Sequence, residues 1–295
     1  HTLLVFTEKG KCLWLKVYQI PDGDRTSKGR AIQNLLQIPP DDKVRAIIDV
    51  MNLEDEEYVN NHYIVLCTKN GTIKKTDLKD FSRPRQSGII AIQVLDGDQL
   101  LAARLTDGNC EIMMAVRSGR AIRFHENTVR STGRGAIGVS GIDLEEGSDE
   151  VVGMICVNKE DKNKTILVVS EKGYGKRTFL DDPETGEPNY RITNRGGKGV
   201  KTINVTEKTG RLVGLLDVTE KEDLMITCVS GIPIRMPVSQ ISEQGRATQG
   251  VKIIRVDEGD EIAAITQLDE DGEENDVIDP EENNAGQPDN QTETE

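Results

Sequence analysis

Short apolar and polar segments alternate along this chain, and one arrangement of them recurs five times. Each copy opens with an aliphatic run, followed by a charged or polar pair, a glycine and a segment rich in Lys and Arg. Further on come a second glycine and another aliphatic segment. Self-similarity at a period of roughly 50 residues predicts a propeller-like array of β units. The first glycines are Gly10, Gly71, Gly119, Gly173 and Gly231, and the second glycines are Gly29, Gly88, Gly138, Gly199 and Gly250.

Each unit is predicted to hold four short strands. The first strand is aliphatic and therefore buried, and the glycine after it supplies the positive φ of a tight hairpin. The second strand alternates, as in Ile73–Thr76, which predicts one face in water. The second-glycine loop leads to the third strand. An acidic turn such as Asp96–Asp98 leads to the fourth, and we interpret its acids as solvated turn residues.

Four-stranded units in series predict an all-β, propeller-like ring with five blades present. The blades are predicted at residues 1–50, 62–107, 110–157, 164–218 and 223–268. A β-sandwich or a pair of small barrels is the less favoured alternative, because equal repeats favour a ring. The chain opens inside an apolar strand and without Met, which favours a fragment of a longer protein.

The net charge of −14 resides mostly in one segment. The last 27 residues, 269–295, hold 12 Asp/Glu and no Lys or Arg, so the remaining 37 bases face 39 acids. Because this tail also lacks large apolar groups, it is predicted to be disordered.

Other classes of protein find little support. No apolar run approaches the ~20 residues that span a bilayer. The five cysteines are dispersed and without CxxC spacing, which indicates reduced thiols in a cytosolic protein. No hydrolase, zinc-protease or P-loop motif occurs, so we predict no catalytic residue, no metal site and no cofactor in this chain.

Positive charge recurs at matching places, on the second strand and in the second-glycine loop of successive units. A stripe of cations at one height suits a phosphate backbone, and the 3% aromatic content argues against base stacking, which favours duplex DNA. For a single blade, a solvated basic face remains the alternative. The residues predicted to contact DNA are Arg25, Lys28, Arg30, Lys74, Lys75, Arg83, Arg85, Arg120, Arg123, Arg130, Arg134, Lys176, Arg177, Arg191, Arg195, Gly196, Gly197, Lys198, Gly199 and Arg246.

Five segments resemble one known family. They are LKVYQIP (15–21), RTSKGRAIQNLL (25–36), NGTIKKTDL (70–78), GYGKRT (173–178) and TQGVKIIRV (248–256). With them the chain resembles, up to about Leu268, the C-terminal domain of the DNA gyrase A protein. The resemblance implies a β-pinwheel, a six-bladed ring whose blades exchange strands and whose convex rim wraps duplex DNA.

The family's signature box, a QRRGGKG-like heptapeptide, lies in its first blade. The opening segment here resembles the second blade, so the first blade and its box are expected before His1. The segment TNRGGKG, residues 193–199, matches the box from Arg195 onward, while Thr193 and Asn194 depart from it. We interpret it as a degenerate or secondary box, with an ordinary glycine-rich loop as the alternative.

The resemblance also implies partners and a mechanism. The domain would bend DNA so that the holoenzyme, with ATP and Mg²⁺ bound elsewhere, introduces negative supercoils. Its partners would be duplex DNA, the N-terminal part of the same polypeptide and the gyrase B protein in an A2B2 assembly. No membrane would be a partner, and the protein would lie in the cytoplasm at the nucleoid.

Three alternatives stay open at this point. The chain could be the related C-terminal domain of the topoisomerase IV A protein, or a propeller for protein partners. The acidic tail, finally, could compete with DNA for the basic surface or could only aid solubility.

Overall fold

The computed structural model describes residues 1–23, 28–144, 149–158, 161 and 164–268 of the 295-residue chain. Arg25 and the predicted tail, residues 269–295, therefore lie outside the described residues. Within these ranges, strands form five antiparallel sheets, and the one α-helix is short, Glu56–Asn61. No helix in the described part of the chain is long and apolar enough to cross a bilayer.

The strands fall into four sets by their place in the repeat. The first strands are β1 (Thr2–Thr7), β4 (Tyr63–Thr68), β8 (Glu111–Val116), β12 (Thr165–Ser170) and β16 (Asp223–Cys228). The second strands are β2 (Lys11–Lys16), β5 (Thr72–Asp77), β9 (Arg120–His125), β13 (Tyr174–Phe179) and β17 (Pro233–Pro237). The third strands are β6 (Ile89–Ile90), β10 (Val139–Ser140), β14 (Val200–Lys201) and β18 (Val251–Lys252). The fourth strands are β3 (Val44–Val50), β7 (Leu100–Thr106), β11 (Val151–Val157), β15 (Leu212–Val218) and β19 (Ile262–Leu268).

Short 3-10 turns follow the second strands, at Val17–Gln19, Leu78–Phe81, Glu126–Thr128 and Val238–Gln240, and another lies at Ile32–Asn34. The α-helix begins after Asp55, whose carboxylate accepts hydrogen bonds from the backbone N–H groups of Glu57 and Tyr58, both at 3.0 Å. These elements lie between the strands and leave the all-β character of the prediction intact.

Neighbouring units exchange their third strands. Each of the first four sheets runs fourth strand, first strand, second strand, and then the third strand of the following unit. In blade 1, for example, β6 pairs with β2 through Lys11 and Cys12, although β6 belongs to the second unit. The predicted all-β propeller fold is confirmed, with exchanged strands as in a pinwheel, but each third strand completes the preceding blade rather than its own.

Eight of the ten recurrent glycines, all but Gly29 and Gly231, allow this exchange because two backbones meet there. A Cβ on Gly199 would lie 2.3 Å from the carbonyl oxygen of Ala121 in the preceding blade. Likewise, a Cβ on Gly119 would lie 2.8 Å from the carbonyl oxygen of Ile203. Both glycines also have positive φ, +70° and +85°. Apart from Gly231, the first glycines thus have two roles. They supply the turn geometry that the sequence predicted, and they leave room for the exchanged segment to approach the backbone closely.

Apolar side chains fill the space between successive blades. Four clusters of buried aliphatic residues join blade 1 to 2, 2 to 3, 3 to 4 and 4 to 5. The middle blades are therefore covered on both faces, and β8 and β12 are buried along their whole length. The second strands β5 and β9 are also buried at their four central positions. The prediction that the second strand has one face in water is therefore wrong, because a strand that is covered on both faces has no exposed side.

The acidic turns close the hairpins rather than standing free in water. An aspartate in the turn before the fourth strand accepts a hydrogen bond from the backbone N–H of the residue that precedes the first glycine. Asp149, for instance, binds both the N–H of Ser118 at 3.0 Å and its hydroxyl at 2.7 Å. Asp42, in the equivalent place, is 3% exposed. The interpretation of the acidic-turn residues as solvated is therefore wrong for Asp42, whereas Asp98 is half-buried and accepts from the N–H of Asn70 at 2.9 Å.

The fourth strands of all five units line one central cavity of about 690 Å³. Ion pairs between neighbouring units lie along it, among them Lys69–Glu150 at 3.6 Å and Arg117–Glu171 at 2.6 Å. Because the fourth strand is at one end of each sheet order and the exchanged third strand at the other, the third strands stand at the outer edge of the array.

The two end units differ from the others. Blade 5 has three strands, and its outer strand β17 carries Pro233 and Pro237, which offer no N–H to a further strand. In the first unit, the segment after Gly29 folds back as the turn Ile32–Asn34, and it packs with Leu36 on the otherwise open face of blade 1.

Candidate nucleic-acid interface

Four loops lead into the third strands and so stand at the outer edge of the array. We call them the rim loops: residues 82–88, 131–138, 192–199 and 242–250. Three of them begin beside the second strand of the preceding unit, where the N–H groups of Thr132, Thr193 and Gln244 donate to the carbonyls of Lys75, Arg123 and Arg177, each at 2.9 Å. Each rim loop therefore belongs to one unit by sequence and to the preceding blade by structure.

Backbone hydrogen bonds join successive rim segments to each other. Gln93 N–H donates to Ala136 O at 3.2 Å, Asp143 N–H to Gly197 O at 3.0 Å, and Asn204 N–H to Thr248 O at 3.0 Å. The four rim loops thus form one continuous, hydrogen-bonded track along the edge of the described blades. A surface built this way is ordered before any partner arrives, which lowers the entropy cost of binding.

The predicted DNA-contact residues that the structure describes separate into two groups, and the first is accessible to solvent and, except for Lys28 and Arg30, lies on or beside this track. The exposed members are Lys28, Arg30, Arg83, Arg85, Arg130, Arg191, Gly197 and Lys198, and the half-buried members are Arg120, Arg134, Arg195, Gly196, Gly199 and Arg246. Lys28 and Arg30 belong to the first unit, whose segment covers blade 1 instead of entering a rim. Lys201 and Lys252, on the third strands, are exposed as well.

The second group, the cations of the second strands, lies inside the blades. Lys74, Lys75, Arg123, Lys176 and Arg177 are each at most 6% exposed. In the folded protein they cannot reach a DNA backbone, so the structure corrects their assignment as contact residues. The physical reason is the exchange itself, because the rim loop of the next unit covers the second strand.

Three of these cations, Lys75, Arg123 and Arg177, are held by ion pairs. Arg123 donates from Nε to Glu111 Oε2 at 2.6 Å and from Nη1 to Asp181 Oδ1 at 2.6 Å and Tyr190 O at 3.0 Å. Lys75 pairs with Glu126 at 2.9 Å. Burial of these charges is tolerated because each one meets an opposite charge, and the two arginines also donate to backbone carbonyls.

These anchors share one place in the repeat, the fourth residue after the first glycine, and each reaches into the following unit. Arg177 Nε donates to Ile241 O at 2.7 Å, and in blade 1 the indole N–H of Trp14 donates to Phe81 O at 2.9 Å. Sequence reasoning missed this role. The signal was present, since the fourth residue after the first glycine is a hydrogen-bond donor in every unit.

The box-like loop, residues 193–199, has its own anchor. Arg195 donates from Nε to Thr128 O and from Nη1 to Ser140 O, both at 3.1 Å, and the N–H of Gly196 donates to Gly141 O at 2.7 Å. The N–H of Gly196 is therefore used within the protein and is not presented to a phosphate.

A cavity of about 590 Å³ opens beside this loop. Arg120, Arg191, Arg195 and Lys198 line it together with the glycine backbone. No acidic side chain is among its lining residues. A cationic concavity of this kind is suited to an anion such as a phosphate group.

One group of potential metal ligands occurs in the part of the chain that the structure describes, formed by Asp107, Cys110 and Glu126. Glu126 already accepts hydrogen bonds from Thr106 at 2.5 Å and from the N–H of Cys110 at 3.2 Å, besides its ion pair with Lys75. Burial is the main cause that raises the pKa of the Cys110 thiol to about 12, so the thiolate is disfavoured. The group is explained by its internal partners, and the absence of a metal site stays a prediction.

The fold and the edge together define a class: a propeller-like repeat domain with exchanged strands and a cationic track of loops on its outside. Comparison with known proteins gives the family. A family model described as "DNA gyrase C-terminal domain, beta-propeller" matches residues 1–51, 62–107, 111–158, 164–182, 189–219 and 230–269, and the chain belongs to this family.

Curated relatives agree with this assignment. The DNA gyrase A protein of Staphylococcus epidermidis is 40% identical over 268 residues, which cover 91% of this chain and 29% of that protein. The DNA gyrase A protein of Staphylococcus aureus is 39% identical over 272 residues, covering 92% and 29%. The chain thus spans under a third of the length of these relatives.

Solved structures show the same fold. A crystal structure of the C-terminal domain of DNA topoisomerase IV superposes with a TM-score of 0.79 and 25% identity, covering 91% of this chain and 79% of that one. A structure of the DNA gyrase A C-terminal domain gives a TM-score of 0.73 at 24% identity, covering 90% and 82%.

Proposed function

We propose that the rim loops bind the phosphate backbone of duplex DNA and bend the duplex along the edge of the array. The observation that carries this proposal is the track itself, on which each of the four rim loops carries at least one exposed or half-buried Arg or Lys. Cations repeated along one edge suit the repeated phosphates of a duplex backbone. Membership of the gyrase C-terminal family supports the same conclusion.

Backbone contact rather than base reading accounts for the composition of the rim. The four rim loops contain no Phe, Trp or Tyr, so they offer no platform for stacked bases. Bending a site of 20–30 base pairs costs about 1–6 kcal/mol by smooth elastic estimates, so several phosphate contacts are needed to offset it. The recurrence of cations over four loops supplies contacts of that number.

At the level of the whole protein, we propose that this chain is part of a DNA gyrase A protein. The domain would hold and bend a DNA segment for the catalytic parts of the enzyme, which would introduce negative supercoils at the expense of ATP. Its partners would then be the rest of the same polypeptide and the gyrase B protein in an A2B2 assembly, in the cytoplasm. We propose no cofactor for this chain, with ATP and Mg²⁺ bound elsewhere in the enzyme.

The curated relatives favour gyrase over topoisomerase IV. A topoisomerase IV protein remains the second candidate because its C-terminal domain superposes with the TM-score of 0.79. A supercoiling assay with the complete enzyme separates the two, since only gyrase is expected to drive relaxed plasmid to negative supercoiling.

Salt dependence of binding tests the proposal on the chain itself. For about six phosphate contacts, a plot of log K against log salt should fall with a slope of about −5, measured by fluorescence anisotropy on a labelled duplex. The variant Lys43→Ala removes an exposed cation away from the rim and serves as the control, with an unchanged slope. A flat salt response of the unaltered chain contradicts the proposal and favours a module for protein partners.

A further inference from the structure

Two rim loops cover a buried lysine that cannot itself touch DNA. Lys74 lies under the loop 131–138 and is 1% exposed, and Lys176 lies under the loop 242–250 and is fully buried. Both occupy the third position after the first glycine of their unit. Each ammonium group donates its hydrogen bonds to the segments that cover it.

The acceptors of these two ammonium groups are uncharged. Lys74 Nζ donates to Ala91 O and to Arg134 O, both at 2.6 Å. Lys176 Nζ donates to Gly245 O at 2.6 Å, to Thr248 O at 3.1 Å and to Thr248 Oγ1 at 3.0 Å. The three protons of the Lys176 ammonium thus match three oxygens of one rim loop.

The fold does not require a lysine at this position. The equivalent residues of blades 1 and 3 are Leu13 and Ile122, both apolar and buried. In blade 3 the loop is held instead by Arg195. An aliphatic side chain is therefore compatible with the exchanged junction, and the lysine is kept at a cost, because burial penalises an ammonium that has no carboxylate partner.

The electrostatic surroundings show that cost. Burial is the main cause that lowers the pKa of Lys74 to about 8 and that of Lys176 to about 7. The loop arginine adds repulsion in both cases, Arg134 for Lys74 and Arg246 for Lys176, and Asp80 opposes it for Lys74. The other charged groups on the adjoining elements are Lys75, paired with Glu126, Arg177, paired with Glu220 and Glu243, and the exposed Lys252.

We propose that Lys74 and Lys176 are positioning residues that hold the rim loops 131–138 and 242–250 in the conformation that contacts DNA, and that their protonation is coupled to DNA binding. This inference rests on the proposed function. A neutral amine has two donors and a lone pair, so deprotonation of Lys176 leaves one of its three loop oxygens without a donor. A phosphate bound at Arg246 would offset the repulsion on Lys176, so binding would favour the protonated lysine, and protonation would favour binding by the same factor.

The test compares the unaltered chain with Lys176→Ile, which places in blade 4 the residue type that blade 3 already carries. Affinity for a labelled duplex is measured by anisotropy from pH 6 to pH 9 at fixed ionic strength. The unaltered chain is expected to lose affinity by about three- to tenfold over this range. One coupled proton can change the affinity by at most about tenfold per pH unit, so this loss is within the limit. Lys176→Ile should bind more weakly at pH 6 and show a flatter pH profile. The control variant Lys172→Gln removes an exposed charge from a hairpin and should keep the pH profile of the unaltered chain.

Hydrogen exchange without DNA separates this inference from the proposed function. Exchange of the backbone amides in residues 245–250 should be faster in Lys176→Ile than in the unaltered chain at the same pH. Equal exchange, or equal affinity with an equal pH profile, overturns the positioning role. Absence of salt-dependent DNA binding by the unaltered chain overturns the proposed function instead. Lys176→Met, with an unbranched side chain, provides the same readouts if the isoleucine variant unfolds.

Discussion

The cations of the second strands and those of the rim loops look alike in sequence but lie in different surroundings. Arg123 and Arg177 are nearly inaccessible and bind carboxylates and carbonyls of the next unit. Arg83 and Lys198, some residues further along their units, face the solvent. The difference teaches that one kind of residue serves two purposes here, since the inner set joins blades and only the outer set is available to a partner.

The largest effect is expected from removing an inner cation. Arg123→Met should lower the free energy of unfolding by about 3–5 kcal/mol, because the buried carboxylate of Glu111 would lose the guanidinium that it pairs with at 2.5 Å. Urea denaturation measures it. The matched control, Arg130→Met, removes an exposed arginine and should change stability by about 0.5 kcal/mol or less. Equal losses in the two variants would mean that the division into inner and outer cations is wrong.

The glycines that seat the rim loops provide the next test. Gly199→Ala should cost about 1–3 kcal/mol for its positive φ alone, with more from the close approach to Ala121 O. Gly135→Ala, in another rim loop, has open space around the added methyl group and no positive φ, and should be nearly neutral. Thermal unfolding of the two variants gives the comparison, and a neutral Gly199→Ala would argue against the close backbone approach at the junction.

Removal of outer cations should affect binding and leave stability unchanged. The double variant Arg83→Ala/Arg85→Ala is expected to reduce the salt slope of DNA binding by about 2, close to one unit for each phosphate that is no longer neutralised. Its urea midpoint should equal that of the unaltered chain, because both side chains are exposed. A shifted midpoint with an unchanged slope would reverse the assignment of these residues.

The pH dependence of stability distinguishes the buried lysines from the paired arginines. Because burial lowers the pKa of Lys176 to about 7, against an ordinary value near 10.5, the unfolded chain binds more protons between these values. Stability contributed by this group should therefore rise as pH increases from about 7 toward 10, and Lys176→Ile should lack that rise. The measurement is the difference in unfolding free energy between the two proteins at several pH values. A difference that stays constant with pH would contradict the lowered pKa.

The smallest effect is expected from the acidic segment 269–295, which lies outside the described residues. If it competes with DNA for the rim loops, a chain that ends at Leu268 should bind a duplex about two- to threefold more tightly at low salt. The gain should vanish near 0.15 M salt, where charges further apart than about 8 Å are screened. Unchanged affinity at low salt would leave this segment the role of a solubilising tail.

Much of the fold could be predicted from the sequence because the repeat is explicit. Gly10 and its counterparts mark the hairpins, and the aliphatic first strands mark the core. The exchange of third strands could not be derived from the pattern itself, since Ile89–Ile90 are as apolar in either blade, and only the family resemblance implied it. For the same reason, alternation on the second strand predicted a wet face for Lys74 and Arg123, which the neighbouring loop covers.

The candidate interface was predicted in part. Loops with exposed cations, such as those of Arg85 and Lys198, were recognised from composition and spacing. The buried anchors were not recognised, because nothing in the local sequence distinguishes a buried lysine such as Lys176 from an exposed one. Burial at these positions depends on a partner segment roughly 60 to 70 residues away in the chain, as the hydrogen bond from Lys176 to Gly245 O shows, and local pattern carries no information about it.

The exchange of third strands also limits how such an array can gain or lose units. A unit cut out between its own first and fourth strands would remove the edge strand of the blade before it and leave the next rim loop without its seat, Ala121 O for Gly199 being one such pair. Duplication or deletion can therefore preserve every junction only if the first glycine of one unit and the second glycine of the following unit are inherited together. The heritable module is a junction between two blades, and protein engineers who wish to lengthen the track should splice at that boundary.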